Sequence, residues 1–204
     1  MFKENSMSGL ISCANNDIIT NKSQISYNLF LNKRLTRPMD PVYLQVNMED
    51  SNIENSLNIN NLFTTIPIKS TLGYNVTWNA IAPSATAKSS QFVINVNNTK
   101  NYVLYFYMNI TGIKPIAYNL NLKLPFRFYY GESLQSEKVI TRSITAGSTD
   151  ILFSGEIIPK DSTGAITMFN KVVLQFETLN AMNAILTSNN SMAVNMSITF
   201  VRIN

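Results

Sequence analysis

From residue 24 onward apolar and polar positions alternate. Ile25, Tyr27, Leu29 and Leu31 are separated by Ser26, Asn28 and Phe30, and Val42, Leu44, Val46 and Met48 by Tyr43, Gln45 and Asn47. The same period of two runs through residues 74–79, 92–97, 120–128, 172–177 and 194–200. Successive side chains of an extended chain point to opposite faces, so this pattern predicts strands with one buried face. Residues 102–108 read Tyr-Val-Leu-Tyr-Phe-Tyr-Met without alternation, which predicts a strand covered on both faces or placed at a subunit contact. Shorter strands are expected over 139–145, 150–157 and 165–169, about ten in all.

Turn residues punctuate these runs. Arg37-Pro38 and Asp40-Pro41 flank one turn, and residues 97–101 predict a hairpin between the strands on either side. Gly131-Glu132-Ser133, residues 146–149 and residues 159–164 predict three more turns, because Gly, Pro and Asp enter turn conformations at little cost. Pro125 interrupts an alternating run. Lacking an N–H, it predicts an edge strand or a bulge there. Helix is confined to weak candidates over 51–62 and 178–186, where asparagine is a poor helix former.

Many short strands with a turn every 8–12 residues predict an all-β fold, an antiparallel β-sandwich. The length favours a jelly roll of eight to ten strands over the smaller immunoglobulin-like sandwich. Residues 1–23 carry no period and read as an extended N-terminal arm with one short apolar patch, Leu10 and Ile11. Residues 24–204 read as a single sandwich domain.

Composition narrows the chemistry. Charged residues are only 14% of the chain, below the usual ~25%, and 28 asparagines with many serines and threonines make up the polar surface. The net charge of +4 comes from 16 cations against 12 anions with no long like-charged block. The densest basic spot is Lys33, Arg34 and Arg37, so there is no strong nucleic-acid signal. Six Asn-x-Ser/Thr triplets begin at Asn21, Asn75, Asn97, Asn109, Asn189 and Asn195, a number that this composition produces by chance. The N-terminal residues contain no apolar core of a secretory leader, and no apolar run is long enough for a membrane-spanning helix.

There is no histidine and a single cysteine, Cys13, so Ser-His-Asp and Cys-His catalysis and an intrachain disulfide are excluded. A conventional zinc site is excluded for the same reason. No phosphate-cradling glycine loop occurs. The local acidic cluster Glu49, Asp50 and Glu54 lacks the glycine-punctuated form of a dedicated calcium loop. No enzymatic activity, metal or cofactor is expected. The remaining candidates are outward-facing aromatics, Tyr105, Tyr107 and Tyr129, as a sugar-stacking platform or subunit contact, together with Leu10 and Ile11 in the arm.

By analogy of fold alone, the expected role is a structural subunit of a virus or phage particle: a capsid, minor capsid, vertex or cement protein. It would be located in the virion and dock with copies of itself and other particle proteins. The lack of an Arg/Lys-rich arm argues against electrostatic packaging of a genome. The alternative is a carbohydrate-binding module or adhesin domain that contacts glycan through exposed aromatics.

Overall fold

The computed structural model describes residues 41–51, 56–178 and 185–203, except the side chain of Asn98. The arm over 1–23 with Leu10 and Ile11, Cys13, the basic spot at residues 33–37 and the strand pattern at 25–31 lie outside the described residues. Eleven strands are described: β1 (Val42–Asp50), β2 (Ser56–Asn58), β3 (Ile68–Tyr74), β4 (Val76–Ile81), β5 (Gln91–Lys100), β6 (Tyr102–Ile113), β7 (Leu120–Tyr130), β8 (Ser133–Ile144), β9 (Ile151–Ile157), β10 (Phe169–Gln175) and β11 (Ile185–Arg202). Among the described residues there is a single α-helical turn, α1 (Leu62–Thr65), which follows β2 through a 3-10 turn capped by the Asn58 side chain.

The strands form two antiparallel sheets. Sheet one runs β3-β1-β11-β6-β9, with β2 added to the start of β11, and sheet two runs β4-β5-β10-β7-β8. Leaving aside β2, β3 and β4, the eight remaining strands nest: first with last (β1 and β11), then β5 with β10, β6 with β9 and β7 with β8. One long antiparallel ribbon rolled into two sheets is a jelly roll. The β3–β4 pair is inserted between the first two strands of that ribbon and bridges the sheets at one side.

The buried phase of each alternating run supplies the core. Val42, Leu44, Val46 and Met48 face Phe92, Ile94, Leu122, Leu124, Phe126 and Phe128 across the sandwich, all essentially inaccessible. Aromatic rings thread this core. Trp78 lies flat on Phe92, and Phe92 meets Phe63, which in turn meets Phe176. Phe169 packs with Tyr102, Phe128 and Phe200 at centroid separations of 4.9–6.2 Å. Such ring pairs add ~0.5–1.5 kcal/mol beyond area burial.

Several expectations change. Residues 97–101 do not close a hairpin, because β5 belongs to sheet two and β6 to sheet one; the segment crosses between the sheets. The run at 74–79 is not one strand: Asn75 takes a left-handed φ of 56° and ends β3 before β4 begins. Residues 165–168 are loop, tied by a bridge between Lys160 and Ile166 and by the Ala165 N–H to the Asp161 carboxylate. Within the first helical candidate, 51–62, Ser56–Asn58 is strand and helix begins only at its end, as the 3-10 turn over Ile59–Asn61 and the α-helical turn over Leu62–Thr65; the described end of the second candidate, from Ile185, is strand.

Pro125 sits in β7, an interior strand, and the bulge in its ladder with β8 falls later, between Phe128 and Tyr129. The ladder to β10 is interrupted instead. Lys123 and Glu177 exchange both backbone hydrogen bonds, but two residues on, opposite Gln175, the proline has no N–H to give. The unbroken apolar run at 102–108 also resolves. Leu104, Phe106 and Met108 enter the core, while Val103, Tyr105 and Tyr107 face outward from the middle of sheet one.

Candidate functional site

Register places the outward residues of sheet one in lateral rows. The first crosses five strands as Tyr74, Tyr43, Thr199, Tyr105 and Glu156. The second reads Leu72, Gln45, Ser197, Tyr107 and Ser154, and the third Ser70, Asn47, Asn195, Asn109 and Leu152. Of these fifteen side chains only Glu156 carries charge. The rest are phenols, amides, hydroxyls and two leucines.

The face is close-packed. Thr199 and Ser197, although outward, are 4% and 7% exposed, because they lie between the larger side chains of β1 and β6. Tyr43 and Tyr74 hold their rings nearly parallel, 6.5 Å apart with 12° between planes. Asn47 donates to the Ser70 hydroxyl across the β1–β3 ladder. Burial, and next the Glu156 charge, push the Tyr105 phenol above its ordinary pKa. It therefore stays protonated at neutral pH and keeps its O–H as a donor. The Asn109 Oδ1, also in this surface, is closed to solvent and accepts no hydrogen bond among the described residues.

The outer face of sheet two is built on ions. Arg127 bonds Glu137, Glu177 and the Gln175 amide, which also accepts from Gln91. Burial works against the Arg127 charge, and its hydrogen bonds to Glu177 and Glu137 more than offset that, so its pKa is raised. Tyr129 lies here, with the Lys171 ammonium 5.0 Å from its ring centre and Lys171 bound in turn to Glu132. The structure thus brings Tyr105 and Tyr107 together on one face and puts Tyr129 on the opposite face of the sandwich.

A cleft of about 580 Å³ opens beside the Arg127 network, lined by Asn58, Asn60, Asn61, Lys88, Ser89, Gln175, Glu177 and Thr178. Its one carboxylate, Glu177, is held by Arg127, and Asn60 and Thr178 bond each other. Among the described residues no three His, Cys, Asp or Glu side chains group to hold a metal. In the acidic cluster, Glu49 is bound by Lys69.

Tyr43 and Tyr74 belong to the sheet-one face and were not singled out by sequence reasoning. The signal for Tyr43 was present: it is an aromatic on the polar phase of an alternating strand. Tyr74 was hidden, because its strand was merged with the next.

No family model and no curated protein matches the chain. Solved structures with a similar shape include the CBM22-2 xylan-binding domain of Paenibacillus barcinonensis Xyn10C, at 10% identity and a TM-score of 0.35 over 77% of this chain and 98% of that one. The family 11 carbohydrate-binding module of Clostridium thermocellum, solved with a β-1,3-1,4-mixed-linked tetrasaccharide, is 8% identical with a TM-score of 0.28, over 78% and 95% of the two chains. A chain of the IBDV viral particle is 9% identical with a TM-score of 0.32, over 80% of this chain and 54% of that one. Scores this low leave the jelly-roll assignment to rest on the strand order itself.

Proposed function

We propose that this protein is a non-catalytic recognition domain that docks an uncharged, hydroxyl-rich ligand, a carbohydrate chain, on the outer face of sheet one. The observation that carries this reading is the lateral row of Tyr74, Tyr43 and Tyr105, with Tyr107 beside it, set among amides and hydroxyls with a single charge. Tyrosine offers a broad apolar ring with a polar tip, and only two side-chain torsions need to be fixed on binding. Amides and hydroxyls on a rigid sheet supply paired donors and acceptors, which is what a polyol presents in return. A charged ligand finds less in these three rows, where Glu156 is the only ionised group; the next charges on this face, Glu49 and Lys69, neutralise each other.

The test is calorimetric titration of the full chain with soluble neutral polysaccharides. The expected result is saturable binding to at least one of them that Tyr105→Ala weakens at least about tenfold, or ~1.4 kcal/mol. No heat with any neutral polysaccharide would contradict the reading.

A second reading, a structural subunit of a virus or phage particle, is favoured by a different observation. At the end of the sandwich made by the β7–β8 turn and the β9–β10 loop, Tyr130, Leu134 and Met168 are each more than half exposed. Exposed apolar groups of this kind mark contact surfaces when they are contiguous. That reading expects a mass above the monomer by light scattering, rising with concentration. A monomer at every concentration tested would count against it.

A further inference from the structure

The cleft beside the Arg127 network lies where the end of β10 meets the β2–α1 segment, and its walls are tied in place. The Ser90 backbone N–H and hydroxyl both donate to the Asn60 carbonyl, and the same hydroxyl accepts from the Phe63 N–H. These bonds fix the segment that carries Lys88 and Ser89. On the other wall the Asn60 amide donates to the Thr178 hydroxyl. The volume of about 580 Å³ is that of a small-molecule site, ~300–1,000 Å³. Walls already held in position have little ordering left to lose when a ligand enters.

Two of the lining amides have their orientation forced. Asn58 Oδ1 accepts from the Asn60 backbone N–H, and Gln175 Oε1 accepts from the Arg127 guanidinium and from Gln91. A backbone N–H and a guanidinium can only donate, so each amide spends its oxygen there and is left with its NH2 group. Neither NH2 group donates to any described residue. The Lys88 ammonium, exposed at the cleft, has no ion pair or hydrogen bond among the described residues. Acceptors are fewer. Arg127 takes one oxygen of Glu177 and leaves the other, and the Asn61 and Ser89 side chains are unbonded among the described residues. Charge runs the same way. Arg127 serves both Glu137 and Glu177, and Lys123 sits opposite Glu177 across the strand bridge, so two cations stand against two carboxylates. Lys88 is the surplus cation.

We propose that this cleft binds a uronic acid, a sugar unit that carries one carboxylate among its hydroxyls. Lys88 takes the carboxylate, since a charge-assisted bond to an ammonium is the strongest contact the cleft offers an oxygen ligand. The Asn58 and Gln175 NH2 groups donate to ring and hydroxyl oxygens, and the remaining Glu177 oxygen accepts from a hydroxyl. A neutral sugar would leave the Lys88 charge unanswered, and a dianion would bring its second charge against Glu177. The site lies apart from the tyrosine face of sheet one and does not depend on what that face binds.

Titration of the full-length, isotope-labelled protein with sodium glucuronate at neutral pH, followed by NMR, tests this. The side-chain NH2 signals of Asn58 and Gln175 are expected to shift saturably. Lys88→Gln should weaken binding about tenfold or more, Lys88→Arg should retain most of it, and glucose should bind at least about tenfold more weakly than glucuronate. Tyr105→Ala should titrate like the wild type, which keeps this outcome separate from that of the sheet-one reading. Four results would each overturn the proposal: no saturable shift of these signals, equal affinity for glucose, unchanged affinity in Lys88→Gln, or acetate or inorganic phosphate bound as tightly as glucuronate. The last would reduce the cleft to a site for any small anion.

Discussion

Phe200 illustrates how directly a residue's place follows from its neighbours. It shares a phase with Val194, Met196 and Ile198, and that whole phase is buried, Phe200 at 1% exposure against Tyr102 and Phe169. Phe200→Ala should cost ~3–5 kcal/mol, since the rings around it are too tightly packed to collapse into the space. An unchanged midpoint in chemical denaturation would refute the placement. Gly112 is the opposite case, a residue whose role alternation does not reveal. Its φ is +77°, and a Cβ there would stand 2.0 Å from the Ser191 carbonyl oxygen, where β11 bulges between Ser188 and Ala193. Gly112→Ala is expected to destabilise by at least ~1–3 kcal/mol, read from the same denaturation curves.

Asp161 yields a pH prediction. Its carboxylate accepts from the Thr163 hydroxyl and from the backbone N–H groups of Thr163 and Ala165, and these bonds, the hydroxyl's first, lower its pKa below the ordinary 3.8. A depressed folded pKa means that the turn is fully supported above the ordinary value and loses support as pH falls through the lowered one. The amide proton shifts of Thr163 and Ala165 should therefore stay constant from neutral pH down to about 4 and move only below it. Asp161→Asn should abolish that acid step.

At the level of the strands, most of the ladder was readable because burial is one-sided. In β1, β5, β7 and β11 the apolar phase had only one sheet face to occupy. What escaped was whatever burial does not dictate. β3 buries almost nothing, so its sequence, Ile-Lys-Ser-Thr-Leu-Gly-Tyr, carries no period to find. The left-handed turn at Asn75 depends on one backbone angle. The crossing after β5 looks locally like any polar hairpin loop, because which sheet a strand joins is decided by partners far away in the chain. Pro125 misled for a related reason: an interior strand tolerates it where the partner strand is already ending.

Edges carry their own prediction. Arg142 satisfies two outward carbonyls of β9 and places a cation where another strand would otherwise pair. Arg142→Ala should increase self-association at a given concentration, measured by light scattering, with the denaturation midpoint moved by no more than ~1–2 kcal/mol. An unchanged mass would mean that the edge is protected by something other than this guanidinium.

Over the molecule as a whole, the jelly roll has two unlike outer surfaces. Sheet two is laced with ions around Arg127 and Lys171, whereas sheet one presents tyrosines, amides and hydroxyls. The three tyrosines expected from sequence to face outward do so only in part as one site. Tyr105 and Tyr107 share the neutral face, while Tyr129 lies under Lys171 on the other. Sequence could assign each of them to a phase of its strand, but not to a sheet, because β6 and β7 follow each other in the chain and part into different sheets. This difference in surface chemistry makes the two faces a built-in comparison for the central claim.

The most direct measurement is affinity electrophoresis of the wild type, Tyr105→Ala and Tyr129→Ala in native gels containing a neutral polysaccharide. Retardation of the wild type and of Tyr129→Ala, with loss of retardation in Tyr105→Ala, is the result this account predicts. Equal migration of all three proteins in every polysaccharide, or loss of retardation in Tyr129→Ala alone, would contradict recognition by the tyrosine face of sheet one.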